Sequence, residues 1–491
     1  MAITATVLSV HALSLREKLF ISLTLAALLA AWILVPSESH IRRDALENLT
    51  AAYNLSHYGV ISLDDGQKRE PTPEREPSLE REPLPIIVLA GYISVLRPWL
   101  GEQSIAELQQ GKNARLLKYS NLLWGAVLVV MTVVTTIHLT GSWTTACCAV
   151  WFSQIGLGGG YDTLLSEIAA AALLTCSSFL LLRAVSTGRK RLYLSAGLCF
   201  GALCLTKAAF LYISAVLVLV VLSVALLRGR GTSRGISAAH AGLMAAGIAI
   251  VVLPWMGRNY VQLESFSIAG RGGKVLLTRA FKDLMTAEEY RGTFYVYAPV
   301  GLKQAIGLMA GYSKKDEAKG GRLERLNRRV DETPRDASAA SDPGAFVSFF
   351  GRANATYRAL LDRHKDRADA EARQQAFAII LAHPWRHAAL CLPFLWRGAP
   401  YAIVILCVFV FVFGWQRRNR ALVWYTLPSI GAVGFYASLT HFIPRYADPI
   451  IPVAAICFVV LVDHFSNKRA PTAVQTVDNA AGKIGKTPVA S

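Results

Sequence analysis

Apolar runs near 20 residues recur along the chain, and most of them end at an arginine, a lysine or a proline. That length matches a helix crossing the hydrocarbon core of a bilayer. The pattern predicts spans at roughly 19–36, 119–138, 143–157, 164–183, 192–206, 209–227, 237–256, 400–415, 421–440 and 448–464. The run Leu84 to Leu96 has about 13 apolar or small residues, is closed by Arg97 and Pro98, and is short for a span. It reads as a helix lying in the interface. Two stretches are more polar, 37–118 and 258–399. Within the second, Lys314 to Pro343 reads as flexible, and Arg352 to Ala382 as one loosely periodic helix resting partly on the membrane.

Composition agrees with this pattern. Of 491 residues 53% are hydrophobic and 17% charged, against about 25% charged in soluble domains. A soluble enzyme is excluded. The first run follows Arg16 and Lys18 without a cleavage site and reads as an uncleaved first span. The net charge of +18 does not point to nucleic acid, because the basic residues flank apolar runs, where they set topology. Arg183, Arg189, Lys190 and Arg191 fall on one side, with Arg228, Arg230, Arg234, Arg417, Arg418, Arg420, Lys468 and Arg469. The short loops opposite, 158–163 and 441–447, hold one basic residue, Arg445. Both termini are therefore expected in the cytoplasm of a multi-pass protein: 1–18 and 466–491 cytoplasmic, 19–257 a transmembrane module, 258–399 extracytoplasmic and 400–465 the last spans.

The eight cysteines lie in or beside apolar runs and suggest neither a disulfide framework nor a thiol nucleophile. His383 and His387 have an i, i+4 spacing that can bind zinc, but no third ligand is evident. No metal or cofactor motif is assigned, and a divalent metal stays an open alternative. A small repeat, Arg69-Glu70-Pro71, Arg75-Glu76-Pro77 and Arg81-Glu82-Pro83, reads as a mixed-charge linker in its first two copies. The third copy abuts the interfacial helix.

Candidate chemistry gathers at the span ends. Asp44 starts an amphipathic helix carrying Leu46, Leu49 and Tyr53, where capping is the plain explanation for an acid. Asp162 follows three glycines in a loop that reads as flexible, and Glu167 opens the next span. An acid so close to an apolar stretch is a functional candidate; the plain alternative places Glu167 at the water boundary. Lys207 interrupts a stretch too long for one span and marks a turn, from which it could simply snorkel to the surface. Arg258 lies in Pro254-Trp255-Met256-Gly257-Arg258-Asn259, and Arg445 and Tyr446 in the last short loop. A carboxylate with several cations suits transfer from a phosphate leaving group, the acid accepting a proton and the cations stabilising the departing charge.

At these residues the chain resembles the GT-C superfamily of polyprenyl-phosphate-dependent glycosyltransferases, nearest the bacterial relatives of protein O-mannosyltransferases and of the lipid A aminoarabinose transferase. The resemblance is carried by Asp44 and Ala52-Tyr53-Asn54-Leu55-Ser56-His57-Tyr58-Gly59, by Arg81-Glu82-Pro83, Ser166-Glu167 and Lys207, and by the segments 254–259 and 445–452. It covers most of 15–465. It implies an all-α polytopic membrane protein of about ten transmembrane helices, with interfacial helices and a polar extracytoplasmic segment. It implies an inverting enzyme of the bacterial inner membrane that moves a hexose or pentose from a polyprenyl-phosphate donor to an envelope glycan, lipid or protein. Asp44 would be the general base, with Glu167 as a catalytic partner that positions the acceptor or a sugar hydroxyl. Arg81, Lys207, Arg258, Arg445 and Tyr446 would bind the donor, and Asp162 would be a secondary acid. Where many relatives carry a second acid or serine and then an aromatic residue, this chain has Ala45 and Asn48. The competing readings are a transporter or flippase of lipid-linked glycans, although the internal repeats common in transporters are not found, and a non-catalytic assembly subunit.

Overall fold

The computed structural model describes residues 13–65, 75–227, 236–331, 340–364, 367–416 and 420–467. Among them all regular structure is helical. Each of the ten expected spans is occupied by a helix: α1 (Leu15–Leu34), α5 (Asn121–Thr140), α6 (Trp143–Leu157), α7 (Glu167–Thr187), α8 (Lys190–Thr206), α9 (Ala209–Leu227), α10 (Ala238–Leu263), α17 (Pro400–Trp415), α18 (Val423–Leu439) and α19 (Ile451–Asn467). Between them lie α2 (Asp44–Tyr58), α3 (Pro83–Leu100), α4 (Gly111–Lys118), α11 (Gly272–Ala280), α12 (Ala287–Val296), α13 (Val300–Ala310), α14 (Phe349–Arg363), α15 (Ala368–Ala382) and α16 (Pro384–Gly398).

By length and composition, eight helices among the described residues can cross a membrane. Three of the expected spans, α6, α8 and α17, are too short to be among them, at 15, 17 and 16 residues, while α18 and α19 qualify together with the 3-10 turns before them, as Arg420–Leu439 and Pro444–Ser466. The basic residues Arg228, Arg230, Arg234, Arg417, Arg418, Lys468 and Arg469, and the first copy of the small repeat, lie outside the described residues.

The bundle is organised around α7. Its most apolar stretch is 72% buried, whereas that of α1 is 11% buried at the periphery. Helices α8 and α10 cross at backbone contact. A Cβ on Gly197 would sit 2.2 Å from the Met244 carbonyl, and one on Gly247 would sit 2.6 Å from the Leu194 carbonyl. With lipid as the solvent, such packing of small residues holds helices together.

Four expectations need correction. The run read as too short for a span is an 18-residue helix, α3, apolar enough to cross a membrane. Pro83 starts it early, where a missing N–H does no harm, and Pro98 and Trp99 extend it. Yet α3 runs beside α2 for most of its length: Arg81 meets Asp44 at one end, and the Ser56 and Ser94 hydroxyls are 2.9 Å apart at the other. Helix α2 carries Asp44, Glu47, Asn48, Asn54 and His57 and cannot cross lipid. The shared depth of the pair is therefore a better guide than length.

Residues 352–382 form two helices, α14 and α15, not one. Each packs a separate face on α11, including Tyr357 and Leu360 from the first and Ala368, Ala372 and Ala376 from the second. That is why the joint periodicity looked loose. Helices α15 and α16 then bend by 101° around His383. The described part of Lys314 to Pro343 is pinned by ion pairs, with Arg322 on Asp316 at 2.8 Å and on Glu288 at 3.0 Å, and Lys303 on Glu317 at 2.8 Å.

Finally, Gly158–Asp162 is a tight 3-10 turn, and Tyr161 inside it is 2% exposed. Gly125 on α5 makes room for that ring, since a Cβ there would lie 2.9 Å from it.

Candidate functional site

Asp44 is the first residue of α2, and its carboxylate caps no backbone N–H among the described contacts. The preceding Arg43 has φ 54°, a left-handed conformation rare for a residue with a side chain. This kink turns the chain at the exit from α1 and delivers Asp44 to a cluster of cations. One carboxylate oxygen accepts from Arg81 at 3.0 Å, and the other accepts from Arg445 at 2.9 Å. Burial alone would raise the Asp44 pKa, but the charge of Arg81 and the hydrogen bonds from Arg445 and Arg81 hold it at about 2.

The two arginines come from opposite ends of the chain. Arg81 sits in the extended segment ahead of Pro83, which ends helix propagation backwards and leaves the side chain facing α2. It also donates to Glu47, one helical turn after Asp44, at 2.9 Å. Arg271 pairs with the same Glu47 and with Glu80. Arg445 lies in the 3-10 turn Pro444–Ile450 and bridges two acids, because its Nε is also 3.3 Å from Glu167.

Glu167 is the first residue of α7 and is 3% exposed, so it does not sit in open water. Its Oε1 faces Lys207 at 3.4 Å, while its buried Oε2 has no hydrogen-bond partner among the described residues. Lys207 occupies the expected turn between α8 and α9, but it points inward rather than snorkelling. Burial would lower its pKa; Glu167 first, with Tyr436, Glu82 and Tyr446, more than reverses that and raises it. Tyr446 stacks near Tyr436, with ring centroids 5.4 Å apart, and completes the wall beside Lys207.

Five of the proposed site residues thus converge: Asp44, Arg81, Glu167, Lys207 and Arg445, with Tyr446 alongside. Two others are placed elsewhere. The Asp162 carboxylate accepts from the Ser37 backbone N–H at 2.6 Å and from Lys118 at 3.0 Å. Lys118, 1% exposed, also donates to the Ser37 and Ser39 carbonyls at 2.9 and 3.1 Å. This knot ties the exit of α1 to the turn before α7. Arg258 lies over the Trp255 ring at 4.9 Å and donates to Asn259 at 2.9 Å, and neither of these contacts is with the Asp44 cluster.

Sequence reasoning missed Glu47, Lys118, Arg271 and Asp448. Glu47 was findable, since it follows Asp44 by three residues on a helix and shares its face. Asp448 lies within the field of Glu167, Lys207 and Arg445. Lys118 and Arg271 carry no local signal. Of the histidine pair, His387 is taken up by Asp283 at 2.8 Å. No three metal-ligating side chains converge among the described residues.

No family model matches the chain, and no curated protein matches it. Among solved structures it is similar to the crystal structure of ArnT from Cupriavidus metallidurans in the apo state, with 12% identity over 89% of this chain and 78% of that one and a TM-score of 0.37. It is similar to ArnT from the same organism bound to undecaprenyl phosphate, with 13% identity over 90% and 77% and a TM-score of 0.36. Superpositions this loose carry no residue correspondences.

Proposed function

We propose that this chain is an inverting glycosyltransferase of the bacterial inner membrane that moves a sugar from a polyprenyl-phosphate donor to an envelope glycan, lipid or protein. One observation carries the reading: both oxygens of Asp44 are held by arginines from distant segments, Arg81 and Arg445, and by no backbone donor among the described residues. Guanidinium groups suit phosphate as well as they suit carboxylate. A donor phosphate at this point competes with Asp44 for both of them.

The competition gives the chemistry an order. While Arg81 and Arg445 hold Asp44 at about 2, it is a poor base. When the donor phosphate draws them away, the carboxylate regains its affinity for a proton. It then takes the proton of the acceptor hydroxyl as that oxygen attacks the anomeric carbon. The bond from that carbon to the phosphate oxygen breaks, and its electron pair leaves with the polyprenyl phosphate, whose charge the arginines and Lys207 stabilise. The Oε2 of Glu167, without a hydrogen-bond partner among the described residues, would receive a hydroxyl of the sugar or of the acceptor.

The clustering of basic residues in alternate short loops supports cytoplasmic termini, with Asp44 and 258–399 on the outer face. The test is sugar transfer by the full chain in lipid nanodiscs. Turnover is expected with a polyprenyl-phosphate sugar, and turnover with a nucleotide sugar alone would overturn the reading. Cysteine introduced at Val330, in a background lacking the native cysteines, should label from outside in intact spheroplasts. Labelling only after permeabilisation would reverse the topology.

A further inference from the structure

The polar segment builds a second charged site beside His441. Lys282 is 6% exposed, and its ammonium donates to the Tyr297 hydroxyl at 3.0 Å. Arg397 lies over the same tyrosine ring at 4.4 Å and donates to the His441 carbonyl at 3.1 Å. The Nδ1 of His441 is buried without a hydrogen-bond partner among the described residues. Its ring lies 5.5 Å from that of Tyr446, the neighbour of Arg445, so this site adjoins the Asp44 cluster.

Neither Lys282 nor Arg397 pairs with a carboxylate among the described residues. The acids nearby are committed elsewhere: Asp283 to Arg279 at 2.6 Å and His387 at 2.8 Å, and Glu289 to Arg325 at 3.3 Å. Burial first, then the charges of Arg397 and Arg279, push the Lys282 ammonium well below its usual pKa. Buried cations are normally paired with an anion; Lys282 has in its place one phenol hydroxyl and the faces of Tyr297 and Phe394, each 5.2 Å from its ammonium. Two such cations on one tyrosine, beside a partnerless imidazole nitrogen, are what a fold tolerates when a ligand supplies the anion.

We infer that Lys282 and Arg397, with His441 at their edge, bind an oxyanion carried by the acceptor. The binding itself follows from the charge arrangement; its assignment to the acceptor rests on the glycosyltransferase reading. An anion held here would anchor the acceptor while its hydroxyl reaches Asp44.

The experiment uses the full chain in nanodiscs, with inorganic phosphate and undecaprenyl phosphate as probes. Phosphate should raise the thermal midpoint of the wild type and of Arg81→Ala. Its apparent affinity should fall at least tenfold, in order of magnitude, in Lys282→Met and in Arg397→Gln. Without phosphate, Lys282→Met should melt at or above the wild type. A lower midpoint would mark a structural cation and overturn the proposal, as would equal phosphate stabilisation in all variants. If Lys282→Met instead loses undecaprenyl phosphate binding, the acceptor assignment is overturned. Phosphate binding that depends on Lys282 in a chain that transfers no sugar would uphold the subsite and defeat the enzymatic reading. Should Lys282→Met yield no protein to melt, Arg397→Gln decides the matter by the same midpoint and phosphate criteria.

Discussion

Asp44 and Asp162 look alike in the sequence, two acids at the ends of apolar runs, yet the fold treats them differently. Asp162 accepts from a backbone N–H, and its partner Lys118 is sealed by two backbone carbonyls. These donors and acceptors cannot leave. Among the described residues Asp44 is held only by side chains, Arg81 and Arg445, each of which also serves a second acid. The first arrangement fastens a structure; the second can be exchanged for a ligand. The type of partner, more than the presence of a salt bridge, distinguishes the two acids, and on the function proposed above it marks Asp44 as the reactive one.

That contrast can be broken by substitution. Asp162→Ala strands Lys118, whose side chain is 2% exposed. Removing one member of a buried pair typically costs about 3–5 kcal/mol; because Asp162 is itself about one-third exposed, the expected loss lies at the lower end. The thermal midpoint should fall clearly while turnover per folded molecule is kept. Normal stability with lost turnover would move Asp162 into the site.

Arg81→Ala should act on ligand binding instead. Loss of a charged hydrogen bond to phosphate, about 1.5–3 kcal/mol, would weaken donor binding roughly tenfold to a hundredfold, beyond the fall in midpoint that follows from freeing Asp44 and Glu47. Unchanged donor kinetics would remove Arg81 from the site.

The smallest effect is on pH dependence. Asp44 has a folded pKa of about 2 against an ordinary 3.8, so its contribution to stability is present above pH 3.8 and lost as pH falls toward 2. The midpoint difference between wild type and Asp44→Asn should be flat above about pH 4 and close below it. A difference that changes near neutral pH would show that the arginines do not hold Asp44 in this way.

Much of the fold was legible, because bilayer crossing imposes a length and a polarity that a run of residues either meets or does not. Ten helices stand where the apolar runs stand. What composition could not show was depth. Helix α3 passes the test for a span, yet it lies along the polar α2. In the site, Asp44, Glu167 and Lys207 were visible as charges interrupting apolar sequence. The choice between capping and chemistry at Asp44 was not, since it depends on Arg445, 401 residues away. Arg271 and the pair Lys282 and Arg397 lie in a polar segment where a cation is unremarkable until its burial is known.

The central claim is that Arg81 and Arg445 are shared between Asp44 and the donor phosphate, so that the donor itself frees the base. It is tested most directly by measuring undecaprenyl phosphate binding and sugar transfer on one folded preparation of Asp44→Asn. The account expects donor binding at least as tight as in the wild type, because the arginines no longer have a carboxylate to hold. It expects transfer to fall by roughly 100- to 10,000-fold, because the base is gone. Near-normal transfer, or donor binding lost together with it, would contradict the account.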